Sequence, residues 1–285
     1  MKKKWFIDNK TVKKVLKKHK VHPKKILGQN FLVDKNILEK IAKVTDVSSK
    51  ETLLEIGAGI GNLTFRLAQE AKKVIAVEKD EKLSRILKQL SQELGIKNVE
   101  VITQDVLETK IGSLLSKTNK VVGNIPYYVT GRLLRILLEK KETLPDKIVL
   151  TVQKEVAERV CAEPPEMSLL AVSVQFYGKP EIVAAVPKRC FWPAPKVDSA
   201  IIKIVPKKSS IKKLPSIFIK KFFKIVRAGF SHPRKQLVNN LSSGLNIEKA
   251  VVSKILLKNN VNPTDRAEAL GPKDWQKLAK SIKLK

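Results

Sequence analysis

Residues 53–64 read LLEIGAGIGNLT: an apolar run, three glycines at every second position, and the start of a helical pattern. Glycines let a backbone turn tightly and approach a ligand closely. The spacing of Gly57, Gly59 and Gly61 departs from the dinucleotide fingerprint G-x-G-x-x-G at its third glycine. Glu78 ends the next apolar run, where a carboxylate can bind ribose hydroxyls. We therefore predict a nucleoside ligand that lacks a pyrophosphate, and S-adenosylmethionine fits. The alternative is a glycine turn used only for packing.

Strand and helix patterns alternate on both sides of this stretch. The predicted strands are 52–56, 73–78, 99–105, 120–124, 147–153, 170–177 and 199–205, and the predicted helices among them are 34–47, 61–71, 80–94 and 130–140. Such alternation, with apolar and β-branched strands, is typical of an α/β fold whose mainly parallel sheet is covered on both faces. The closely spaced last strands predict an antiparallel hairpin at one edge. Ligands of such sheets bind beyond the carboxyl ends of the strands.

The texture of the chain changes after PKKSS (206–210), where helical patterns alternate with Pro and Gly. We predict three parts: a basic N-terminal arm at 1–20, an α/β domain at 21–206, and a small, basic, all-α domain at 207–285.

The balance of charge favours a polyanionic partner. The chain has 57 Lys and Arg against 27 Asp and Glu, a formal net charge of +30, and a hydrophobic content of 43% that indicates a globular protein. Residues 1–25 contain eleven lysines and one acid, and residues 206–285 contain nineteen Lys and Arg and four acids. Basic segments at both ends predict surfaces that hold a nucleic-acid backbone, with simple solubility as the alternative.

Two further strand ends carry polar groups. Asp105 ends the third predicted strand beside Glu78 and could accept from an adenine amine, or could equally cap a helix.

GNIPYY (123–128) follows the fourth strand. The Asn124 carboxamide and the backbone carbonyl of Ile125 are both acceptors, which Pro126 would hold in place. Such a pair could bind an aromatic exocyclic amine, with Tyr127 as a stacking face; the alternative is an ordinary type I turn.

Two later motifs are weaker. RCFWPAPKVDSA (189–200) presents Phe191 on a proline-rich loop as a possible second stacking face, or as an ordinary core aromatic. FSHPRKQLVNNL (230–241) places Arg234 and Lys235 at a helix start, where they would suit phosphate contacts or simply be solvated.

Several classes of site are disfavoured. The two cysteines, Cys161 and Cys190, form no disulfide framework and fit a reducing cytosol, and with three scattered histidines we predict no metal site. No apolar run has membrane-spanning length, and no secretory signal is evident. We expect a cytoplasmic protein with no membrane partner.

Together these motifs resemble those of the ribosomal RNA adenine N6-dimethyltransferases, in order and in spacing. The segments that carry the likeness are ILGQNFL (26–32), EIGAGIGNLT (55–64), QDVL (104–107), GNIPYYVT (123–130), QKEVAERV (153–160) and FWPAPKVDSA (191–200). The C-terminal segments GFSHPRKQLVNNL and NPTDRAEAL look like the branch that dimethylates two adjacent adenosines near the 3′ end of small-subunit rRNA. The likeness spans roughly residues 20–285.

The resemblance implies a class I, Rossmann-like methyltransferase fold with S-adenosylmethionine as methyl donor. It also implies that the partner is small-subunit rRNA or the immature small ribosomal subunit. We expect the protein to bind this large particle as a monomer. The resemblance implies these cofactor residues: Asn30, Leu32, Gly57, Glu78, Asp105 and Asn124. The target amine would be oriented by Asn124 and the Ile125–Pro126 backbone, and the flipped adenine would lie between Tyr127 and Phe191. CAEPPEMSLLAV (161–172) departs from the family's Gly- and Lys-containing segment. The Lys-rich first 20 residues lie outside the likeness, and we predict a disordered or helical RNA-binding arm there.

Three alternatives stay open at this point. A large-subunit rRNA adenine methyltransferase that gives macrolide resistance shares the cofactor and target motifs, although the RAEAL segment argues against it. An RNA-binding ribosome-assembly factor, with methylation secondary, would suit the basic C-terminal part. A DNA adenine methyltransferase uses a similar Asn/Asp-Pro-Tyr motif.

Overall fold

The structure is a computed structural model that describes residues 8–24, 27–109, 111–126 and 129–284. Its strands are β1 (Phe31–Leu32), β2 (Thr52–Ile56), β3 (Lys73–Glu78), β4 (Val99–Thr103), β5 (Lys120–Asn124), β6 (Lys147–Gln153), β7 (Gly178–Val186), β8 (Phe191–Trp192) and β9 (Ser199–Pro206). Its helices are α1 (Asn9–Lys18), α2 (Lys35–Thr45), α3 (Asn62–Leu67), α4 (Glu81–Glu93), α5 (Ile111–Leu115), α6 (Thr130–Glu139), α7 (Lys154–Cys161), α8 (Leu169–Tyr177), α9 (Lys208–Lys213), α10 (Ser216–Gly229), α11 (Leu237–Leu245), α12 (Lys249–Lys258) and α13 (Pro272–Ser281).

Seven strands form one mixed sheet in the order β4-β3-β2-β5-β6-β9-β7. Strands β2 to β6 pair in parallel, and β9 pairs antiparallel with β6. The register places Ile56 opposite both Val77 of β3 and Gly123 of β5, so these three strands end at the same level. The predicted α/β class is confirmed. Because parallel strands share one carboxyl edge, the predicted ligand residues that follow them meet there.

Helices cover the sheet through apolar faces. Helix α4 begins after Asp80, whose carboxylate accepts from Leu83 N at 3.3 Å and from Lys82 N at 2.9 Å, and it buries Leu83, Ile86 and Leu87. Helix α2 begins in the same way after a capping aspartate and packs in a cluster with residues of β2, β5 and β6. It lies on the same face of the sheet as α4, because Val74 in its cluster and Ala76 in the α4 cluster are two residues apart on β3. The caps satisfy N–H groups that a helix start leaves without partners.

The predicted strand at 170–177 is wrong, because these residues form helix α8. Ser168 caps the helix, and its hydroxyl accepts from Ala171 N at 3.1 Å. Buried residues occur on all sides of the helix, so LLAVSVQFY shows no helical periodicity, and a fully apolar run is equally typical of a buried strand. The strand of this region is β7, which starts directly after α8.

The chain forms two compact units. The first contains the chain up to Ala157 together with Pro180–Pro206, and the second contains Glu158–Lys179 and Lys207–Lys285. The second unit therefore includes α8, whereas the sequence prediction began the helical domain at residue 207.

The core of the second unit is aromatic. Phe176 of α8 stacks on Phe222 of α10 with ring centroids 4.2 Å apart, and Tyr177 stacks on Phe223 at 5.6 Å. Trp275 of α13 is fully buried next to Phe230, with ring centroids 5.6 Å apart. Such aromatic pairs stabilise a small domain beyond their buried area.

Within the described ranges, no helix is long and apolar enough to cross a membrane. The same residues contain no group of three or more His, Cys, Asp or Glu side chains arranged to hold a metal ion.

Candidate cofactor and target-adenine site

A cavity opens at the carboxyl edge of β2, β3 and β5, within the first unit. Its walls include all six residues that the family resemblance implies for the cofactor: Asn30, Leu32, Gly57, Glu78, Asp105 and Asn124. The segment that precedes and forms β1 and the glycine turn after β2 both contribute to these walls. These six residues, up to 94 positions apart in sequence, are thus brought together around one cavity.

The glycine turn follows β2 with a backbone that other residues rarely adopt. Gly57, Gly59 and Gly61 have φ angles of +73°, +59° and +102°. The amides of Gly57 and Ala58 donate to the carbonyl of Val77, which holds the turn against β3. A Cβ atom on Gly57 would lie 3.1 Å from the backbone oxygen of Asn124. The turn can therefore bring backbone close to a ligand only with glycine at these positions.

Glu78 holds the glycine turn to the end of β3. Its Oε2 accepts from Gly59 N at 2.8 Å, and its Oε1 accepts from Asp80 N at 2.8 Å. Its side chain is buried, and burial raises the pKa of the carboxyl above its ordinary value despite the two backbone donors. Each carboxylate oxygen retains a second lone pair, which suits it to accept from ribose hydroxyls.

Asp105 lies beyond β4, where it caps a turn and lines the cavity, and its contact with an adenine amine stays a prediction. Its Oδ1 accepts from Leu107 N at 2.8 Å, which caps the local turn, and the residue also lines the cavity. Its Oδ2 binds Lys79 Nζ at 2.7 Å. Partial burial acts to raise the pKa of Asp105, but Lys79 and the Leu107 amide outweigh it, and the pKa is lowered. The group is thus an ionised acceptor at the cavity wall.

Asn124 ends β5 and is oriented by a residue from the first strand segment. Its Nδ2 donates to the backbone carbonyl of Asn30 at 2.9 Å, and Asn30 Nδ2 in turn donates to Gly28 O at 3.2 Å. Within the described residues, no donor contacts Asn124 Oδ1. The carboxamide is therefore oriented by the bond from its nitrogen to Asn30 O, and its oxygen is available as an acceptor.

After Asn124 the wall continues with Pro126, whereas Ile125 does not line the cavity. Ile125 N donates to Thr151 O at 3.1 Å, its side chain is buried, and Pro126 lines the cavity. Gly28 approaches so closely that a Cβ there would lie 3.2 Å from Pro126 Cβ. The predicted stacking residue Tyr127 lies outside the described residues.

Leu32 and Phe191 meet across the two-stranded sheet of β1 and β8. Leu32 lines the cavity, and its carbonyl accepts from Asn62 Nδ2 at 2.9 Å. Phe191 does not line the cavity and is 4% exposed, packed in a cluster with Leu32 and Leu38. The structure therefore shows Phe191 as a core aromatic, and its role as a stacking face stays a prediction. Its neighbour Trp192 is half-buried.

Glu55 is a cavity residue that the sequence analysis did not single out. It lies within β2, is 2% exposed, and its Oε2 has no hydrogen-bond partner. Burial, together with the negative charge of Glu78, raises the pKa of Glu55 to about 8. The available signal was an acid inside an otherwise apolar strand, TLLEI. A buried carboxyl oxygen without a hydrogen-bond partner is the kind of group that a polar ligand satisfies.

These observations test whether the site suits S-adenosylmethionine, and it does. Acceptors for hydroxyl and amino groups (Glu78 and Asp105) alternate with apolar wall residues such as Leu83, and the glycine turn leaves room where a Cβ would intrude. Among the described residues of its wall, no cluster of cations is available for a pyrophosphate, and the basic residue there, Lys79, is paired with Asp105.

Arg234 and Lys235 lie in the second unit, on the turn before α11 rather than in the helix itself. Both are exposed. Asn240 of α11 braces this turn, since its Nδ2 donates to Gly229 O at 2.7 Å and to His232 O at 2.9 Å. The two cations are thus presented on a defined loop.

Comparison with known proteins places the chain in a family. A sequence model described as ribosomal RNA adenine dimethylase matches residues 6–283. A protein named ribosomal RNA small subunit methyltransferase A from Dehalococcoides mccartyi (strain CBDB1) is 40% identical over 93% of this chain and 90% of its own length. The protein of the same name from Bacillus thuringiensis (strain Al Hakam) is 39% identical over 95% of each chain.

Solved structures agree in fold. A dimethyladenosine transferase from Plasmodium falciparum superposes with a TM-score of 0.76 at 29% identity, over 87% of this chain and 95% of that one. The 23S rRNA methyltransferase ErmE superposes with a TM-score of 0.70 at 25% identity, over 89% of this chain and 99% of that one. The predicted methyltransferase sheet with a helical C-terminal part is confirmed, and the chain belongs to the ribosomal RNA adenine dimethylase family.

Proposed function

We propose that this protein is an S-adenosylmethionine-dependent rRNA (adenine-N6,N6)-dimethyltransferase. Its substrate would be two adjacent adenosines in a loop near the 3′ end of small-subunit rRNA, within the immature small subunit. The observation that carries the proposal is the fixed Asn124 carboxamide at the mouth of a cavity that already contains the acceptors for a nucleoside cofactor. The names of the relatives at about 40% identity supply the substrate class.

Methyl transfer to adenine requires the protein to orient the N6 amine. The lone pair of an adenine N6 amine is delocalised into the ring, which makes it a poor nucleophile. Asn124 Oδ1 and the Ile125 carbonyl would accept hydrogen bonds from its N–H groups. These bonds would rotate and pyramidalise the amine, so that its lone pair leaves conjugation with the ring and is directed at the methyl group to be transferred. When bound, S-adenosylmethionine supplies a methyl group on a sulfonium. The methylated nitrogen is acidic enough to lose its proton to water, so these residues need no general base.

Reaching this nitrogen requires the base to leave its helix or loop stack. Tyr127, directly after Pro126, would hold one face of the flipped adenine. Phe191 would hold the other face only if its ring leaves the apolar cluster in which it is now buried. The role of Phe191 in base binding is therefore the part of the proposal that demands a local rearrangement.

The charges of the protein support an RNA substrate. The net charge is +30, and Arg234 and Lys235 are exposed on a braced loop of the second unit. We propose that this loop contacts phosphates of the rRNA. An enzyme with such a substrate would work in the cytoplasm, as a monomer bound to a large particle.

The test is to incubate the protein with radiolabelled S-adenosylmethionine and immature small subunits, and to map methylated adenosines by primer extension. Dimethyladenosine at two adjacent positions near the 3′ end of the small-subunit rRNA is the expected result. Label in large-subunit rRNA, or in duplex DNA in preference to rRNA, would overturn the substrate assignment. An Asn124→Ala variant that binds and matures subunits without methylating them would show that assembly is the main role.

A further inference from the structure

Helix α1 has two faces of opposite character. Val12 and Leu16 are 0% and 2% exposed, and they lie four residues apart on one stripe. The other face carries five exposed lysines: Lys10, Lys13, Lys14, Lys17 and Lys18. At 100° per residue these lysines span the side opposite the buried stripe. The exposed surface of the helix is therefore dominated by positive charge.

Packing and capping hold α1 on the first unit. Val12 and Leu16 belong to the cluster that contains Leu83 and Ile86 of α4 and Phe31 of β1. The carboxylate of Asp8 accepts from Thr11 N at 2.7 Å and caps the helix start. The predicted basic arm is therefore helical over Asn9–Lys18 and docked rather than free.

Two contacts place this helix beside the cavity. Lys13 Nζ lies 5.5 Å from the ring centroid of Trp192, which pairs with Phe31 of the cavity wall. Six residues after the helix ends, Lys24 Nζ binds Asp80 Oδ2 at 2.7 Å, two residues beyond Glu78. The chain then continues into the wall itself from Leu27 onward. The middle of the basic helix and the segment that follows it thus both contact residues adjacent to the cavity wall.

The positive charges of the α1 lysines are not neutralised by the described carboxylates of the protein. Among the described residues, no carboxylate forms an ion pair with any lysine of α1, and the first turn of the helix contains no acid. Elsewhere in this unit lysines do pair, as Lys73 does with Glu100 at 2.6 Å and Lys120 with Glu51 at 2.9 Å. Five unpaired cations on a rigid element raise the local potential and attract a polyanion.

We propose that the lysine face of α1 binds the phosphates of the rRNA strand that flanks the target adenosine. This inference rests on the proposed function, which makes RNA the occupant of the neighbouring cavity. Phosphate contacts fix the register of a nucleic acid without reading its sequence. A surface docked to the cavity wall can therefore hold the strand so that one adenosine faces Asn124. This surface belongs to the catalytic unit itself and is separate from the Arg234 loop.

The experiment compares two variants with the same loss of charge. One changes the α1 lysines to glutamine: Lys10→Gln, Lys14→Gln, Lys17→Gln and Lys18→Gln. The control changes exposed lysines that precede β2, β3, β4 and β5, at the opposite edge of the sheet: Lys50→Gln, Lys72→Gln, Lys97→Gln and Lys117→Gln. Lys13 is left in place because of its contact with Trp192. Glutamine is about as good a helix former as lysine, so α1 is retained, and circular dichroism checks this.

Binding of a naked 3′-terminal fragment of small-subunit rRNA is measured by filter binding between about 50 and 200 mM salt. We expect the α1 variant to bind at least tenfold more weakly than the control at the lower salt, with a salt slope shallower by roughly one per lost contact. Its KM for RNA should rise, while kcat at saturating RNA and the Kd for S-adenosylmethionine stay as in the wild type.

Equal RNA affinity and salt slope in the two variants would overturn the inference. Unchanged binding to naked RNA with weaker binding to whole subunits would overturn it too, since the occupant would then be a ribosomal protein. Failure of the wild type to methylate small-subunit rRNA would refute the proposed function. The RNA-binding comparison would still decide whether α1 holds RNA.

Discussion

The side-chain amide of Asn124 donates a 2.9 Å hydrogen bond to the backbone carbonyl of Asn30. The two residues are 94 positions apart, one in the segment before β1 and the other at the end of β5. This bond decides which end of the carboxamide faces the cavity. Two motifs that look independent in the sequence, GQNFL and GNIPYY, are therefore joined by a hydrogen bond that orients the Asn124 side chain.

Asn124→Asp is a nearly isosteric change that tests the role of this hydrogen bond in methylation. The carboxylate cannot donate to Asn30 O, and it would place negative charge against that carbonyl. We expect methylation of rRNA to fall on the order of 10²- to 10³-fold, as for loss of one preorganised hydrogen-bonding group. Single-turnover methylation measures this.

The matched control for Asn124→Asp is Asn119→Asp, just before the other end of β5. Asn119 Oδ1 accepts from Thr52 N at 3.2 Å, a bond that aspartate can also accept. The control should retain near wild-type activity. Wild-type activity in Asn124→Asp would show that the orientation of the carboxamide is irrelevant.

Glu78→Gln should weaken cofactor binding. An amide cannot accept from both Gly59 N and Asp80 N while also accepting from ribose hydroxyls, because one of its two ends is a donor. We expect the Kd for S-adenosylmethionine to rise roughly 10- to 100-fold, the range for one hydrogen bond to a charged group. Isothermal titration calorimetry measures it. Glu100→Gln on the neighbouring β4, whose partner is Lys73, should leave the Kd unchanged; an equal effect of both changes would refute a direct role for Glu78.

Gly61→Ala should destabilise the first unit. Its φ of +102° disfavours any Cβ, and that Cβ would lie 2.4 Å from Leu87 Cδ1 and 2.7 Å from Phe65 Cζ. We expect a loss of roughly 1–3 kcal/mol in the free energy of unfolding. Gly131→Ala is the control, because nothing lies within 4 Å of its Cβ and the residue is in helix α6. There alanine should be neutral or stabilise by up to ~1 kcal/mol. Thermal unfolding followed by circular dichroism distinguishes the two, and equal melting temperatures would contradict the argument.

The strand ends were predictable and several of their contacts were not. Gly57, Glu78, Asp105 and Asn124 each lie at or just after the carboxyl end of a predicted strand. Parallel strands share a carboxyl edge, so the sequence was enough to predict that these residues meet. The link from Asn124 to Asn30 is a tertiary contact that no local pattern encodes.

The hydrophobic pattern failed to distinguish helix from strand where an element is buried on every side. LLAVSVQFY is apolar all round, so its period could not separate helix from strand, and the Ser168 cap was the remaining clue. Phe191 follows the same logic, since an aromatic residue beside prolines can pack inward as easily as outward, and it is 4% exposed. For α1, the Val12–Leu16 stripe distinguishes a docked helix from a free basic arm, but only the cluster on α4 shows where it docks.

Arg234→Gln with Lys235→Gln should weaken rRNA binding through the second unit. Both side chains are exposed on the turn that Asn240 braces, so their removal changes charge and leaves the fold intact. We expect weaker binding at all RNA sequences and a salt slope shallower by roughly one per contact. Lys254→Gln with Lys258→Gln on α12 removes the same charge elsewhere on this unit. Filter binding at two salt concentrations compares the pairs, and equal losses would mean that the loop has no special role.

Glu55 should make the stability of the first unit depend on pH. Its pKa is about 8 in the folded protein, against an ordinary value of 4.5 that we take for the unfolded chain. Between these values the folded state holds a proton that the unfolded state has lost, so the free energy of unfolding falls as pH rises through this window. The stabilisation is complete below pH 4.5 and lost above about pH 8.

Glu55→Gln separates this effect from other titrating groups. The amide cannot ionise, so the variant should lose less stability than the wild type between pH 5 and pH 9, by an amount on the order of 5 kcal/mol at most. Urea unfolding at several pH values measures the difference. Glu78, whose pKa is also raised by burial, acts in the same direction and remains in both proteins. Parallel pH profiles for the wild type and the variant would show that Glu55 is already ionised in the folded state, with its charge satisfied in the cavity.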